Sequence, residues 1–106
     1  MQEKPNLTYI KELAGDDLAF EQKFIKILKD EFPVETNIYY KSIQNHEPRA
    51  AAEIVHKLKH KFNILSMEKA YTFAVKYEEE LRAGRTDMYS GFNKILNTIE
   101  DFLKTI

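Results

Sequence analysis

Residues that break regular secondary structure are scarce in this chain and fall between long stretches with helical spacing. Only three glycines and three prolines occur among 106 residues. β-Sandwiches and β-barrels need frequent turns, and turns favour glycine and proline. The chain has too few of these residues for a β-rich fold. Between the breakers, apolar residues recur with a period of about 3.6 residues, which is the period of an amphipathic helix. The sequence therefore predicts an all-α protein.

The first half of the chain indicates a short helix followed by a much longer one. Gly15 is placed to end the short helix in a left-handed conformation, and Asp16 is expected to cap the start of the next. The long helix keeps its apolar period across Pro33, which should kink it or split it in two. The short helix is marked by three apolar residues at helical spacing, Leu7, Ile10 and Leu13.

The second half of the chain indicates three further helices separated by short turns. Pro48 suits the first position of a helix, because the amide that it lacks would be unpaired there. Ser66 is expected to cap the fourth helix, and Ala83-Gly84 is expected to end it. Thr86 or Asp87 is expected to cap the last helix.

The length of the chain allows one compact domain. A mass of 12.5 kDa leaves no room for two hydrophobic cores. Short connections make successive helices antiparallel, so we predict an up-down antiparallel four-helix bundle with a short extra N-terminal helix. This domain is expected to span residues 1–106 as a monomer, with residues 1–6 forming a flexible arm.

The composition excludes several classes of function. Sixteen Lys and Arg against 17 Asp and Glu give a formal net charge of -1, so no overall field favours nucleic acid or an anionic membrane. No apolar run approaches the roughly 18–20 residues of a membrane span, and the first residues do not resemble a secretory signal. Without cysteine, the chain has no thiolate chemistry and no cysteine metal site. We expect a cytoplasmic protein.

Motifs of self-contained enzymes are also missing from the sequence. There is no Gly-rich phosphate loop, no His-Glu-x-x-His and no Gly-x-Ser-x-Gly. We therefore expect neither ATP binding nor an independent enzymatic activity, and no cofactor.

Two histidines, His56 and His60, lie on one face of the predicted third helix. At about 100° per residue, both project nearly opposite the apolar stripe of that helix. Between Arg49 and Lys61, four basic residues and one acidic residue give a local charge of +3, which suits an acidic partner surface. The predicted outward row consists of Arg49, Glu53, His56, His60 and Asn63, with Lys57, Lys59 and Lys61 beside it.

The run His56-Lys57-Leu58-Lys59 resembles the His-x-Leu-Lys core of the histidine-containing phosphotransfer (HPt) domain family, which relays phosphoryl groups in multistep two-component signalling. In that family the motif lies mid-helix in a four-helix bundle of about this length. Small and apolar residues precede it, as in 49–55 here, and the following helix ends near an acidic-Leu pair, as at Glu80-Leu81. The family pattern has glycines where this chain carries His60 and Ser66.

The resemblance implies that His56 accepts a phosphoryl group from the phospho-aspartate of a receiver domain and passes it to another receiver. Receiver domains and a hybrid sensor kinase would be the partners, and the receiver would supply Mg²⁺ and most of the catalytic machinery. A neutral imidazole is a good nucleophile toward phosphorus, and Lys59 can stabilise phosphoryl oxygens from one turn away. The expected docking residues are Arg49, Glu53, Lys57, His60, Lys61 and Asn63.

Two other functions are compatible with the same residues. His56 and His60 have the i, i+4 spacing of a helical metal-binding pair, and Glu53 lies one turn earlier. The basic row could also belong to a helical interaction module that binds an acidic partner without phosphoryl chemistry. The sequence leaves both alternatives open.

Overall fold

The chain is all-α, as the sequence predicts. In a computed structural model that describes residues 3–106, those residues form five α-helices and no β-strand. None of the helices in this range is both long and apolar enough to cross a membrane. The helices are α1 (Thr8–Ala14), α2 (Leu18–Gln44), α3 (Pro48–Ile64), α4 (Glu68–Arg82) and α5 (Tyr89–Leu103).

The start of α2 differs by one residue from the expectation. Gly15 ends α1 with a φ of 59°, as predicted, but the cap of α2 is Asp17 rather than Asp16. The Asp17 carboxylate accepts a hydrogen bond of 3.0 Å from the amide of Phe20. A capping side chain accepts a hydrogen bond from an unpaired amide two or three residues later in the chain. Asp17 lies three residues before Phe20, whereas Asp16 lies four residues before it.

Pro33 does not split the second helix, because α2 runs as one helix of 27 residues. A proline removes one backbone hydrogen bond and crowds the preceding turn. On both sides of Pro33 the helix is anchored in the core, by Leu28 and Phe32 before it and by Tyr39 after it. Tertiary packing of this apolar face therefore outweighs the local disruption.

The turn between α3 and α4 uses Ser66 differently from the prediction. Ser66 has a φ of 64°, and the residue at the cap of α4 is Met67, without a side-chain hydrogen bond. The amide of Met67 instead donates to the carbonyl of Phe62 at 2.9 Å, which is the pattern that closes a helix at a left-handed residue. Ser66 is thus the residue that terminates α3, the position where glycine is the usual choice.

The start of α4 is capped by Glu3, far away in the sequence. The Glu3 carboxylate accepts hydrogen bonds of 2.9 Å from the amides of Lys69 and Ala70. The amide of Asn6 donates to the carbonyl of Leu65 at 3.0 Å, so Glu3 and Asn6, both within the arm expected to be flexible, contact this turn. Positions 1 and 2 of that arm lie outside the described residues.

The start of α3 and the end of α4 agree with the sequence, whereas the start of α5 does not. Pro48 occupies the first turn of α3, and Gly84 follows α4 with a φ of 84°. Neither Thr86 nor Asp87 caps α5, since Met88 is the cap residue and has no side-chain hydrogen bond. The amide of Tyr89 is satisfied by the backbone carbonyl of Thr86, so this turn closes without a capping side chain.

A cluster of aromatic side chains joins α2, α4 and α5 in the core. The ring of Phe92 lies 5.0 Å from those of Tyr39 and Tyr77, measured between centroids. The two tyrosine hydroxyls are hydrogen-bonded to each other at 2.7 Å, and burial followed by this hydrogen bond raises the pKa of Tyr39. α3 packs between α2 and α4, while α5 contacts both α2 and α4 and α1 contacts α2. The packing of Tyr77 therefore fixes the rotation of α4 about its own axis. Glu78 is the next residue of α4, so the same packing fixes its direction.

Candidate functional site

His56 lies on the outward face of α3, with 51% of its side chain exposed. Its Nδ1 atom is 3.2 Å from both carboxylate oxygens of Glu78 on α4. A carboxylate can only accept a hydrogen bond, so Nδ1 is the donor in this contact, and a neutral ring then keeps its lone pair on Nε2. The contact thus orients a half-exposed imidazole whose Nε2 atom can act as a nucleophile.

Glu78 is the centre of a charged network between α3 and α4. Its carboxylate accepts hydrogen bonds from Lys59 Nζ at 2.9 Å and from Arg82 Nη2 at 3.0 Å, besides that from His56. Burial raises the pKa of Glu78, but the hydrogen bonds from Lys59, Arg82 and His56 outweigh this effect and hold the pKa below its ordinary value. Glu78 is therefore ionised at neutral pH.

Lys59 lies beside His56, but it is less free than the sequence implied. Only 12% of its side chain is exposed, and its ammonium group is bound to Glu78. The same ammonium group lies 6.0 Å from the ring centroid of Tyr71, which adds a weak cation–π contact. Its charge is therefore close to the imidazole but directed toward the carboxylate.

Arg82 is a site residue that sequence reasoning missed. It bridges the two helices, with Nη1 3.1 Å from Glu53 and Nη2 3.0 Å from Glu78. These hydrogen bonds raise the pKa of Arg82 above its ordinary value. Glu78 and Arg82 are one turn apart on α4, a spacing typical of an ion pair on a helix, but nothing in the sequence shows that the pair reaches across to α3.

Most of the predicted outward row is exposed as expected. Arg49, Lys57 and Asn63 all lie at the surface, and Glu53 joins them through its contact with Arg82. The ring of His60 lies 5.2 Å from that of His56 at an interplanar angle of 87°. A second imidazole therefore stands directly beside the first.

Lys61 is not part of this face, contrary to the expectation from the sequence. Only 9% of its side chain is exposed, and its Nζ lies 3.0 Å from a carboxylate oxygen of both Glu31 and Glu35 on α2. Lys61 directly precedes Phe62, whose ring is fully buried, and so it lies on the flank of α3 that packs against α2. The exposed cations of the predicted row are consequently Arg49 and Lys57.

The side chains around His56 and His60 include types that can bind a metal ion. Within residues 3–106, no group of three or more His, Asp or Glu side chains is arranged to hold a metal ion. His56 uses Nδ1 for Glu78, and the Glu53 carboxylate faces Arg82.

Comparison with models of protein families, with curated proteins and with solved structures found no match for this chain. The chemistry of this face must therefore be deduced from its own side chains. These are an exposed imidazole, the carboxylate that orients it, and two cations bound to that carboxylate.

Proposed function

We propose that this chain is a histidine-containing phosphotransfer domain that carries a phosphoryl group on Nε2 of His56. The observation that carries the proposal is the hydrogen bond from Nδ1 to Glu78, which leaves Nε2 as the nucleophile on an exposed ring. The His-x-Leu-Lys motif at 56–59 supports the same assignment. The histidine is thus both accessible and held in the tautomer that the reaction requires.

The proposed transfer needs no proton to leave the site. The Nε2 lone pair of His56 attacks the phosphorus of a receiver phospho-aspartate, and the Nε2–P bond forms as the bond from phosphorus to the aspartate oxygen breaks. The aspartate departs as a carboxylate, and the imidazole, still protonated at Nδ1, becomes positively charged. The buried Glu78 carboxylate stabilises that charge through its hydrogen bond, and the reverse sequence unloads the group onto a second receiver.

A docking face for the receiver is proposed on α3 and the adjoining flank of α2. The pairing of Lys61 with two glutamates of α2 sets the level at which the helices meet, and Val34 lies between those glutamates in the sequence. Val34 and Ile38 are exposed apolar residues of α2. Together with the exposed Lys57 on α3, they would offer a partner both apolar surface to bury and a charge to recognise.

We further propose that α2 to α5 form an up-down antiparallel four-helix bundle, with α1 as an addition. Its support is that α2 packs on α3, α3 on α4, α4 on α5, and α5 again on α2. The connections at 45–47, 65–67 and 83–88 are short, which favours antiparallel neighbours. In this arrangement the phosphoacceptor lies mid-helix on one long side of the bundle.

We propose that the phosphoryl group is supplied from outside this domain, since residues 1–106 contain no phosphate-binding loop for ATP. We propose receiver domains as its direct partners and a hybrid sensor kinase as the origin of the phosphoryl group. The chain is then a phosphocarrier without kinase activity of its own.

The proposal is tested by incubating the protein with receiver domains from its source genome, each labelled on its aspartate with radioactive acetyl phosphate. We expect an acid-labile, alkali-stable label on the chain, abolished in His56→Gln and retained in the matched variant His60→Gln. Circular dichroism of both variants verifies that the helices are intact. Full labelling of His56→Gln, or no labelling from any receiver, contradicts the proposal, and binding without labelling favours the interaction module.

A further inference from the structure

Arg82 binds two carboxylates, that of Glu78 on α4, which contacts His56, and that of Glu53, which lies three residues before His56 on α3. Its Nη2 atom is 3.0 Å from Glu78 Oε2, which is itself 3.2 Å from His56 Nδ1. Its Nη1 atom is 3.1 Å from Glu53 Oε1, and Glu53 precedes His56 by one turn on the same face of α3. The guanidinium group is therefore joined to the imidazole through one oxygen of the Glu78 carboxylate.

The two bonds of Arg82 differ in how easily they are given up. Glu78 is largely buried, so losing a hydrogen bond there would leave a charged group poorly satisfied. Glu53 is 73% exposed and can be hydrated by water if it loses its partner. An exposed ion pair of this kind contributes little to stability, so the Nη1 bond is the one that can be exchanged.

Lys59 is less able than Arg82 to change partners. Its side chain is 12% exposed against 46% for Arg82, and its single ammonium group is bound to Glu78. Moving that ammonium group toward a phosphoryl group would withdraw it from the buried carboxylate. Arg82 has two donor nitrogens in use and can move one while keeping the other in place.

We propose that Arg82 holds the phosphoryl group on His56, with Glu53 as the acceptor that occupies it in the unloaded protein. On loading, Nη1 leaves Glu53 and donates to a phosphoryl oxygen, while Nη2 remains on Glu78. A phosphoryl group carries about two negative charges and three acceptor oxygens, so it competes well against one hydrated carboxylate. This inference rests on the proposed phosphotransfer function.

The exchange also changes the surface that a receiver meets. In the unloaded protein the Glu53 carboxylate is neutralised by Arg82. In the loaded protein Glu53 carries an uncompensated negative charge one turn from the phosphohistidine. Glu53, expected from the sequence as a docking residue, then reports the state of His56 to the partner.

The first test loads His56 chemically, without a receiver. Potassium phosphoramidate phosphorylates accessible imidazoles, so the variant His46→Gln/His60→Gln directs the label to His56. We expect the ¹⁵N-detected side-chain resonances of Arg82 to shift on loading, and the side-chain carboxyl resonance of Glu53 to move toward that of a free glutamate. If His56 is phosphorylated and neither the Arg82 nor the Glu53 resonances shift, this inference is overturned while the proposed function still stands. Failure of phosphoramidate to load His56 overturns both the inference and the proposed function.

The second test measures the equilibrium of phosphoryl transfer between a receiver and the chain. Arg82→Gln should shift this equilibrium away from His56 by about tenfold, as expected for losing one charge-assisted hydrogen bond. Arg82→Lys should restore part of that loss, whereas Glu53→Gln should shift the equilibrium toward His56 because it removes the competitor. If Arg82 and Glu53 had only a structural role, the two substitutions Arg82→Gln and Glu53→Gln would not shift the transfer equilibrium in opposite directions. Equal shifts in the same direction, or none, contradict the inference while leaving phosphotransfer itself intact.

Discussion

The hydroxyl of Tyr77 on α4 lies 2.7 Å from that of Tyr39 on α2, inside the core. The next residue of α4, Glu78, points instead to α3 and accepts the hydrogen bond from His56. Adjacent residues of a helix are separated by about 100°, so a helix whose rotation is fixed by one side chain also directs the next. The buried tyrosine pair thus positions the carboxylate that orients His56.

Tyr77→Phe should destabilise the protein by about 1–3 kcal/mol, because it leaves the buried hydroxyl of Tyr39 without a partner. Urea unfolding measures the loss. The double variant Tyr39→Phe/Tyr77→Phe should recover part of it, since both hydroxyls are then gone. Additive losses in the double variant would show that the two hydroxyls do not depend on each other.

Glu78→Gln should slow phosphoryl transfer to His56 and lower stability by about 2 kcal/mol. The amide can still accept from Nδ1, but it cannot neutralise the largely buried Lys59 or stabilise a positively charged imidazole. Transfer kinetics and urea unfolding measured on the same preparation separate the two effects. Unchanged transfer in a folded Glu78→Gln variant would contradict the role assigned to the carboxylate.

The stability of the protein should depend on acid pH through Glu78. Its pKa is lower in the folded chain than in the unfolded chain, so the unfolded state takes up the proton first as pH falls. This stabilisation is complete above the ordinary glutamate value of about 4.3 and is lost as pH falls through the lower folded-state pKa. Urea unfolding between about pH 3 and 7 should therefore give a shallower pH dependence for Glu78→Gln than for the natural chain.

Lys61→Ala and Lys57→Ala should have different effects although both lysines lie on α3. Lys61 is buried against Glu35, so its loss should lower the free energy of unfolding by about 1–3 kcal/mol, with little effect on receiver binding once folded. Lys57 is exposed, so its loss should leave stability unchanged and weaken the salt dependence of association. Equal effects of both changes on salt dependence would contradict this separation.

His60→Gly should speed transfer or widen the range of receivers, because the ring of His60 stands 5.2 Å from that of His56. The change should cost about 1 kcal/mol of helix stability, which unfolding measurements report separately. Slower transfer in a folded variant would instead mean that His60 assists, for example by donating to the phosphoryl group. Micromolar zinc affinity that disappears with the substitution would favour the metal-binding alternative.

The sequence predicts the helices better than it predicts the site between them. Helical periodicity and the breakers at Gly15, Pro48 and Gly84 identify the class and most boundaries, because each is a local signal. The exposure of His56 and His60 follows from the periodicity of the same helix. The surroundings of His56 do not, because the contacts of Glu78 with His56 and of Arg82 with Glu53 depend on the relative rotation of α3 and α4.

Two local predictions were wrong because another interaction satisfied the same backbone group. Ser66 and Thr86 both have capping side chains, yet the amides of the following turns bind backbone carbonyls or the distant Glu3. Lys61 differs from its neighbours because a flank position at a helix packing interface is buried once α2 is in place. A helical projection of α3 alone cannot predict this burial, because it contains no information on where α2 packs.

The capping of α4 by Glu3 has a consequence for how the chain folds. The hydrogen bond to Ala70 joins residues 67 positions apart, so it closes a loop that contains the whole of α1, α2 and α3. Closing a loop of that size costs entropy before the contact yields any energy, which places such contacts late in folding. The first turn of α4 is accordingly expected to form after α2 and α3 have packed together, and the amides of Lys69 and Ala70 are expected to lose their protection from hydrogen exchange when the N-terminal segment detaches.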